Sequence, residues 1–163
     1  MKPFRYCPHC ATELSVRHDG ERERLSCAAC GFVHYDNPTP VVAAVVEHEG
    51  RVILVRNQGW PEKWFGLVTG FLERGETAEA GILRELDEEL GLRGTVVEML
   101  GVYPFALMNQ LIVAYHVRAE GEIRLGAELA DFRAIEPAKL RPWPGGTGDA
   151  LREWMRRNVE GHS

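Results

Sequence analysis

The sequence predicts a layered domain of the α/β or α+β class, preceded by a small cysteine-containing module. The chain has 163 residues, which suits one compact domain with a small appendage. Beyond residue 37, five strand-like segments are interspersed with two helical segments, a pattern typical of helices packed on a sheet. All four cysteines lie within residues 1–36, where few aliphatic residues are available to form a core.

The strands are predicted from runs rich in β-branched residues. Residues 41–46 and 51–56 form the first two, and Gly50 marks a hairpin turn between them. Further strands are predicted over residues 95–103, 111–118 and 130–135.

The two helices are predicted from apolar spacing and terminal residues. For residues 77–91, Thr77 is a candidate N-cap and Gly91 stands where a C-terminal glycine ends a helix. A second helix is predicted over residues 148–159, with Leu151, Trp154 and Met155 on its apolar face.

Composition and charge exclude several classes of protein. The chain is 45% hydrophobic and 26% charged, which argues against disorder and against a coiled coil. The longest aliphatic run, residues 41–46, is too short to span a membrane. The first residues contain no apolar signal region, so a cytoplasmic location is expected. A formal net charge of −5 makes the chain a poor general binder of nucleic acid.

The cysteines form two Cys-x-x-Cys pairs separated by sixteen residues: Cys7, Cys10, Cys27 and Cys30. This arrangement predicts a structural Zn²⁺ site that supplies the folding free energy of a ribbon over residues 1–36. Two redox pairs or two disulfides are the alternatives, and His9 and His34 are alternative ligands. No catalytic work is expected of the ribbon, but a contribution to a substrate site or to a homodimer contact remains open. The main domain is predicted over residues 37–163.

Acidic residues concentrate in one segment of the main domain. Residues 70–92 contain seven acidic and two basic residues, so they hold the whole net charge of −5. On a helix, Glu85, Glu88 and Glu89 share one edge, and Glu76 can approach it from the preceding loop. Such an edge suits Mg²⁺ or Mn²⁺, with Arg84 orienting a carboxylate. A solvated acidic face is the alternative reading.

The segment resembles the signature of the Nudix hydrolases: a glycine, five residues, a glutamate, seven residues, then Arg-Glu-aliphatic-x-Glu-Glu-x-Gly-aliphatic. All nine fixed positions are matched, by Gly70, Glu76, Arg84, Glu85, Leu86, Glu88, Glu89, Gly91 and Leu92. The residues before Gly70 are Val68 and Thr69, where family members often have a proline and a small residue.

The resemblance implies an α/β/α sandwich with a mixed sheet, and divalent-metal-dependent hydrolysis of a nucleoside diphosphate linked to another moiety. It implies that Glu85, Glu88 and Glu89 are metal ligands with catalytic roles, joined by the carbonyl of Gly70. Glu76 and Arg84 are then a pair that supports the loop. A further ligand or base usually comes from a downstream loop, where Glu128 is the candidate because it precedes the strand at 130–135.

A ribbon followed by this signature resembles two subgroups, the NADH pyrophosphatases and the enzymes that act on FAD and ADP-ribose. Of the motif that the NADH subgroup carries after the signature, only Pro104 and Phe105 are present, which favours the second subgroup. Alternatives are a hydrolase of capped RNA or diadenosine polyphosphates, and a non-enzymatic nucleotide-sensing or nucleic-acid-binding module. The candidate substrate-binding residues are Trp60, Trp64, Phe65, Tyr103, Phe105, Asn109 and Gln110.

Overall fold

The computed structural model of the chain describes residues 4–160. Its internal contacts divide into two compact units, Met1–Pro38 and Thr39–Ser163. The division falls two residues beyond the boundary predicted from the sequence.

The first unit contains a small antiparallel sheet that the sequence analysis did not predict. Its strands are β1 (Ser15–Asp19), β2 (Arg22–Ser26) and β3 (Val33–His34), in the order β1-β2-β3. A tight turn at Gly20, whose φ is +61°, joins β1 to β2. These strands are largely polar and exposed, so they lack the apolar alternation by which a strand is recognised.

The second unit is built on a six-stranded mixed sheet with the order β7-β8-β4-β5-β9, in which β6 also pairs with β4. Strands β4 and β8 are parallel, and the other pairs are antiparallel. The strands are β4 (Thr39–His48), β5 (Arg51–Asn57), β6 (Val68–Phe71), β7 (Arg93–Phe105), β8 (Gln110–Glu120) and β9 (Leu129–Ile135). The helices are α1 (Ala78–Leu90) and α2 (Thr147–Asn158).

Both faces of this sheet are buried, each under one helix. Along β4, Val42 and Val46 face a core that includes Ile82 and Leu86 of α1. Residues at alternate positions of β4 face a second core that includes Leu151 and Trp154 of α2. Because successive strand residues point to opposite faces, the continuous aliphatic run at 41–46 serves both cores. The predicted α/β/α sandwich with a mixed sheet is therefore confirmed.

The caps predicted for α1 are confirmed. The side chain of Thr77 accepts a hydrogen bond from the backbone N–H of Ala80 at 3.1 Å. Gly91 ends the helix in the left-handed region, with φ of 65°, and its N–H donates to the carbonyl of Asp87. The two caps fix the register of the helix that carries the carboxylates.

Strand β6 was not predicted, and it is the element that brings Gly70 into the sheet. It has only four residues, and glycine is unfavourable in a strand unless another group approaches the backbone closely. In this strand Gly70 pairs with Val42 of β4.

Within residues 4–160, neither helix is long and apolar enough to cross a membrane.

We predict that Leu86→Ala lowers the free energy of unfolding of the second unit by about 2–5 kcal/mol, because Leu86 is completely buried under the sheet. Leu107→Ala is the matched control, since that leucine is 85% exposed and its replacement should change stability little. Urea denaturation followed by tryptophan fluorescence measures both variants, because all four tryptophans lie in residues 39–163. Equal losses would contradict the assigned core.

Candidate active site

Helix α1 presents its glutamates at different depths because one side of it packs on the sheet. Leu86 and Leu90 are buried in the core, and Glu89, on the same side, is itself only 6% exposed. Glu85 is partly buried and Glu88 is exposed. The helix therefore provides a graded row of carboxylates that runs from the protein interior to solvent.

These carboxylates line a cavity of about 660 Å³ in the second unit. Strand β6 contributes Thr69, Gly70 and Phe71, and α1 contributes Arg84 with Glu85, Glu88 and Glu89. The segment before β9 adds Gly126, Ala127 and Glu128. The structure thus brings all four predicted catalytic glutamates, and Gly70, to one cavity.

Arg84 connects the loop before α1 to the carboxylates on the helix. Its Nε and Nη2 donate to the two oxygens of Glu76, at 2.8 and 3.1 Å. Its Nη1 donates to Glu85 at 2.8 Å and to Glu88 at 3.0 Å, and Nη2 also reaches the carbonyl of Phe71 at 3.1 Å. One planar guanidinium therefore fixes three carboxylates and the end of β6.

Glu76 closes the loop that precedes the helix. Besides binding Arg84, its Oε2 accepts a hydrogen bond from the backbone N–H of Glu73 at 3.0 Å. The hydrogen bond with the Arg84 guanidinium holds the pKa of the Glu76 carboxyl below its ordinary value, so Glu76 stays ionised. These contacts support the predicted role of Glu76 and Arg84 in holding the loop.

Gly70 allows a carboxylate to lie directly against the backbone of β6. A Cβ atom at this position would overlap the carboxyl carbon of Glu85. The close approach explains the need for glycine here, since any side chain would displace Glu85. It also places the backbone of Gly70 beside the carboxylates of α1.

Glu89 is the most perturbed acid in the cavity. Burial, together with the negative charges of Glu85, Glu128 and Glu88, raises its pKa to about 8. One of its oxygens, Oε2, is buried and has no hydrogen-bond partner. A buried carboxylate oxygen without a partner is costly, so this atom points to a ligand that the protein alone does not supply.

Glu85 and Glu128 share this electrostatic environment. Burial raises the pKa of Glu85, the hydrogen bond with Arg84 lowers it, and the charges of Glu88 and Glu128 raise it further. Glu128 directly precedes β9, and two bonds attach its loop to the end of α1. In these, the N–H of Arg124 donates to the backbone carbonyl of Leu90 and that of Gly126 donates to the backbone carbonyl of Glu89, both at 2.8 Å.

The donor set fits a hard divalent cation. Every candidate ligand is a carboxylate or carbonyl oxygen, the class of donor that Mg²⁺ and Mn²⁺ prefer. A cation would also offset the repulsion that raises the pKa of Glu85 and Glu89. Glu85, Glu88, Glu89 and the carbonyl of Gly70 are the residues that would hold it, with Glu128 beside them.

Of the seven predicted substrate-binding residues, three line the cavity: Trp60, Phe105 and Gln110. The ring of Trp60 packs over Gly66, where a Cβ would lie 3.4 Å from it. The ring of Phe105 lies close to Gly146, where a Cβ would be 3.2 Å from it.

The other four residues do not line the cavity. Trp64 is 65% exposed, and Phe65 packs on the second core with the guanidinium of Arg133 over its ring at 4.1 Å. Tyr103 packs on the same core and donates to the carbonyl of Leu100 at 3.2 Å. Asn109 ends a short 3-10 helix in the left-handed conformation, with φ of 49°.

Sequence reasoning missed the part of the cavity formed by the start of α2. Trp143, Pro144, Gly145, Gly146 and Thr147 all line it. The indole N–H of Trp143 donates to the hydroxyl of Thr147 at 3.2 Å, which fixes the ring. The prolines and glycines do predict a loop here, but no local pattern shows which cavity that loop faces.

In the first unit, the four cysteines converge. The sulfurs of Cys7, Cys10, Cys27 and Cys30 lie within 4.8 Å of one another, and all four thiols are free. Tetrahedral Zn²⁺ with Zn–S distances of about 2.3 Å needs sulfurs about 3.8 Å apart, so the cluster fits zinc and not two disulfides.

The two cysteine turns have the same backbone geometry. The N–H of Ala11 donates to the carbonyl of Cys7, and the N–H of Gly31 donates to that of Cys27. Both donor residues have positive φ. The alternative ligands point elsewhere, because the ring of His9 packs on Phe32 and that of His34 packs on Phe4.

The fold and the site together define an α/β/α domain with a carboxylate-lined cavity suited to a divalent cation, joined to a zinc ribbon. The NUDIX domain family matches residues 36–157, and the family described as Nudix N-terminal, a zinc ribbon, matches residues 5–36. The chain therefore belongs to the Nudix family.

Similar proteins fall in the same family. The NAD-capped RNA hydrolase NudC of Vibrio vulnificus is 28% identical over 167 residues, which cover 98% of this chain and 62% of that protein. NudC of Mycobacterium bovis is 38% identical over 88 residues, which cover 53% of this chain and 28% of that protein. A crystal structure of a NUDIX hydrolase from Nitrosomonas europaea is 25% identical, with a TM-score of 0.82 over 97% of this chain and 94% of that one.

The chain spans about three-fifths or less of the length of these curated relatives.

We predict that Cys10→Ser reduces bound zinc below about one ion per chain and unfolds the ribbon, because metal binding supplies much of the folding free energy of such a module. Metal analysis and backbone NMR signals of residues 4–38 measure the two effects. Thr12→Ala, which leaves all four thiols intact, is the control and should retain zinc. Finding two disulfides by thiol titration of the native protein would contradict the zinc site.

We predict that stability of the second unit, in protein freed of Mg²⁺ and Mn²⁺ but retaining zinc, falls as the pH rises from about 4.5 to about 8. In that range Glu89 is protonated in the folded state, where its pKa is about 8, and ionised in the unfolded chain, where it has its ordinary value of 4.5. The folded state therefore binds more protons, and raising the pH favours unfolding.

Urea denaturation at several pH values checks this prediction. Glu89→Gln should flatten the pH dependence, whereas Glu79→Gln, an exposed residue on the same helix, should leave it unchanged. If the free energy of unfolding depended on pH equally in wild type and both variants, Glu89 would not be the titrating group.

Proposed function

We propose that the protein hydrolyses the pyrophosphate bond of a nucleoside diphosphate linked to another moiety, of the FAD, ADP-ribose or NADH class, to give mononucleotide products. Membership of the Nudix family and the composition of the cavity support this function.

The observation that carries the proposal is the buried, unpartnered carboxylate oxygen of Glu89 among Glu85, Glu88 and Glu128. Leaving this arrangement without a counterion destabilises the fold. Such an arrangement is expected where a cation binds, and the diphosphate of a nucleotide is an anion that such a cation would recruit.

We propose that Glu85, Glu88, Glu89 and the carbonyl of Gly70 hold Mg²⁺ or Mn²⁺. A cation bound there supplies neutralisation of the diphosphate and activation of a water molecule. The protein's own contribution is orientation: Arg84 and Glu76 fix the carboxylates, and Glu128 provides an acceptor for a proton from the attacking water.

The aromatic parts of the cavity support a substrate with rings. Trp60 and Phe105 offer ring faces on which a base can stack, and Gln110 offers an amide that can hydrogen-bond to a base or ribose. Trp143, held by Thr147, adds a third ring. For Trp64, Phe65, Tyr103 and Asn109, a substrate contact stays a prediction that no cavity contact supports.

A second candidate substrate is NAD-capped RNA, favoured by the names of the curated relatives. The reaction would cleave the same kind of bond, and the RNA would extend from one side of the diphosphate. The partner is then a nucleotide-derived substrate in either case.

Four free thiols arranged for zinc also support a reducing compartment, and we propose the cytoplasm. A homodimer stays a prediction.

We predict that Glu89→Gln lowers the rate of mononucleotide formation by about 10²–10⁴-fold, because it removes the charge on the most buried carboxylate of the site. The assay incubates the protein with Mg²⁺ or Mn²⁺ and FAD, NADH, ADP-ribose or NAD-capped RNA, and separates the products.

Asp87→Asn is the matched control. It removes one charge from the same helix, but Asp87 is exposed and does not line the cavity, so activity should stay near wild type. No turnover of any substrate by the wild-type protein, or equal rates for wild type and Glu89→Gln, would overturn the proposed function. Product analysis in ¹⁸O-labelled water would identify the phosphorus that is attacked.

A further inference from the structure

One face of the sheet in the zinc ribbon carries a basic cluster that the hydrolytic function does not use. Residues directly opposite each other on antiparallel strands share a face, and the β1–β2 register pairs Arg17 with Arg24 and Asp19 with Arg22. This face therefore holds three arginines and one aspartate. Residues 1–36 as a whole are formally neutral, because they contain five basic and five acidic residues.

Arg17 stands opposite Arg24 in the β1–β2 register, and of these two arginines only Arg24 forms an ion pair among the described residues, with Asp19 at 3.5 Å. Like charges directly opposite each other destabilise a sheet, and a ribbon with so small a core has little stability to spare. Within residues 4–160, neither Arg17 nor Arg22 has a carboxylate partner. Two guanidinium groups on this face are therefore available to an anion.

Arg24, in contrast, is held in place. Its Nη1 donates to the carbonyl of Tyr35 at 2.7 Å, and its guanidinium lies 4.8 Å from the centre of the Tyr35 ring. Its Nε is buried, lies 3.5 Å from Asp19 and makes no hydrogen bond. Arg24 therefore has a fixed position, and the guanidinium groups of Arg17 and Arg22 can reach an anion beside it.

Part of the cluster lines a small cavity of about 160 Å³, whose lining residues are Arg17, Asp19, Arg24, Ser26, Val33 and Tyr35. Arginine recognises phosphate oxygens through paired N–H donors. Tyr35 is 53% exposed, so its ring also offers a surface on which a base can stack.

We propose that this face of the ribbon binds the phosphodiester backbone of a single-stranded nucleic acid. Arg17 and Arg24 contact one phosphate, and Arg22, two residues further along the hairpin and about 7 Å away, contacts a neighbouring one. Tyr35 stacks with a base. A single mononucleotide would not contact all three arginines, so we expect the ligand to be a chain of nucleotides.

The binding assay uses fluorescence anisotropy of a labelled ten-nucleotide single-stranded RNA, with a DNA strand of the same sequence in parallel. Both are expected to bind, because the proposed contacts are to phosphates and to a base face. The affinity should fall as salt rises, and each lost phosphate contact should reduce the slope of log K against log salt by about 0.7.

Arg17→Gln and Arg22→Gln should each weaken binding and reduce this slope. Arg93→Gln, an exposed arginine at the start of β7, removes the same charge elsewhere and should change neither. Zinc content equal to that of wild type shows that each variant retains the ribbon. Arg17→Lys should retain most of the salt slope but bind more weakly, since it keeps the charge without the paired donors.

Equal binding by Arg17→Gln, Arg93→Gln and wild type would overturn the proposal, as would an unlabelled AMP or inorganic phosphate that displaces the RNA as effectively as unlabelled RNA. The assay involves no turnover, so its failure would leave the proposed hydrolysis untouched. Conversely, all ribbon variants should hydrolyse free dinucleotides at the wild-type rate.

Discussion

The site depends on one interaction, the binding of several carboxylates by the guanidinium of Arg84. The loop before α1, the end of β6 and two glutamates of the helix all meet at this side chain. Without it, acids three and four residues apart on a helix would repel one another, and the hydrogen bonds that join Glu76 of the loop to α1 would be lost. A single fixed cation of the protein therefore allows an acidic site to be assembled before any metal binds.

The same arrangement leaves one carboxyl group without a partner. Arg84 reaches Glu85 and Glu88, but no hydrogen bond reaches the buried oxygen of Glu89. The net charge of −5 thus lies in the segment where Arg84 binds some carboxylates and leaves the carboxyl of Glu89 for a ligand. This division distinguishes a cation site from a solvated acidic surface, in which every carboxylate would be hydrated.

The two units are stabilised by different features. The larger one buries both faces of a mixed sheet, and this packing holds Glu85 of α1 against Gly70 of β6. The smaller one has almost no core and brings four thiols together instead. Because its sheet buries little apolar surface, the faces of the sheet can carry charged residues. One of these faces carries the basic cluster of Arg17, Arg22 and Arg24.

Local sequence determined the helices, most strands, both cysteine pairs and the identity of the acidic residues, because caps, periodicity and fixed spacing are local signals. Strand β6 escaped detection because its pairing depends on β4, which is distant in the chain, and the strands of the ribbon escaped detection because they lack apolar alternation. Tertiary structure alone decided which aromatic residues face the cavity. Trp60 and Phe105 do and Trp64 does not, while Trp143 enters from a loop near the C-terminal helix. Such placement follows from how strands and helices pack, and no single segment encodes it.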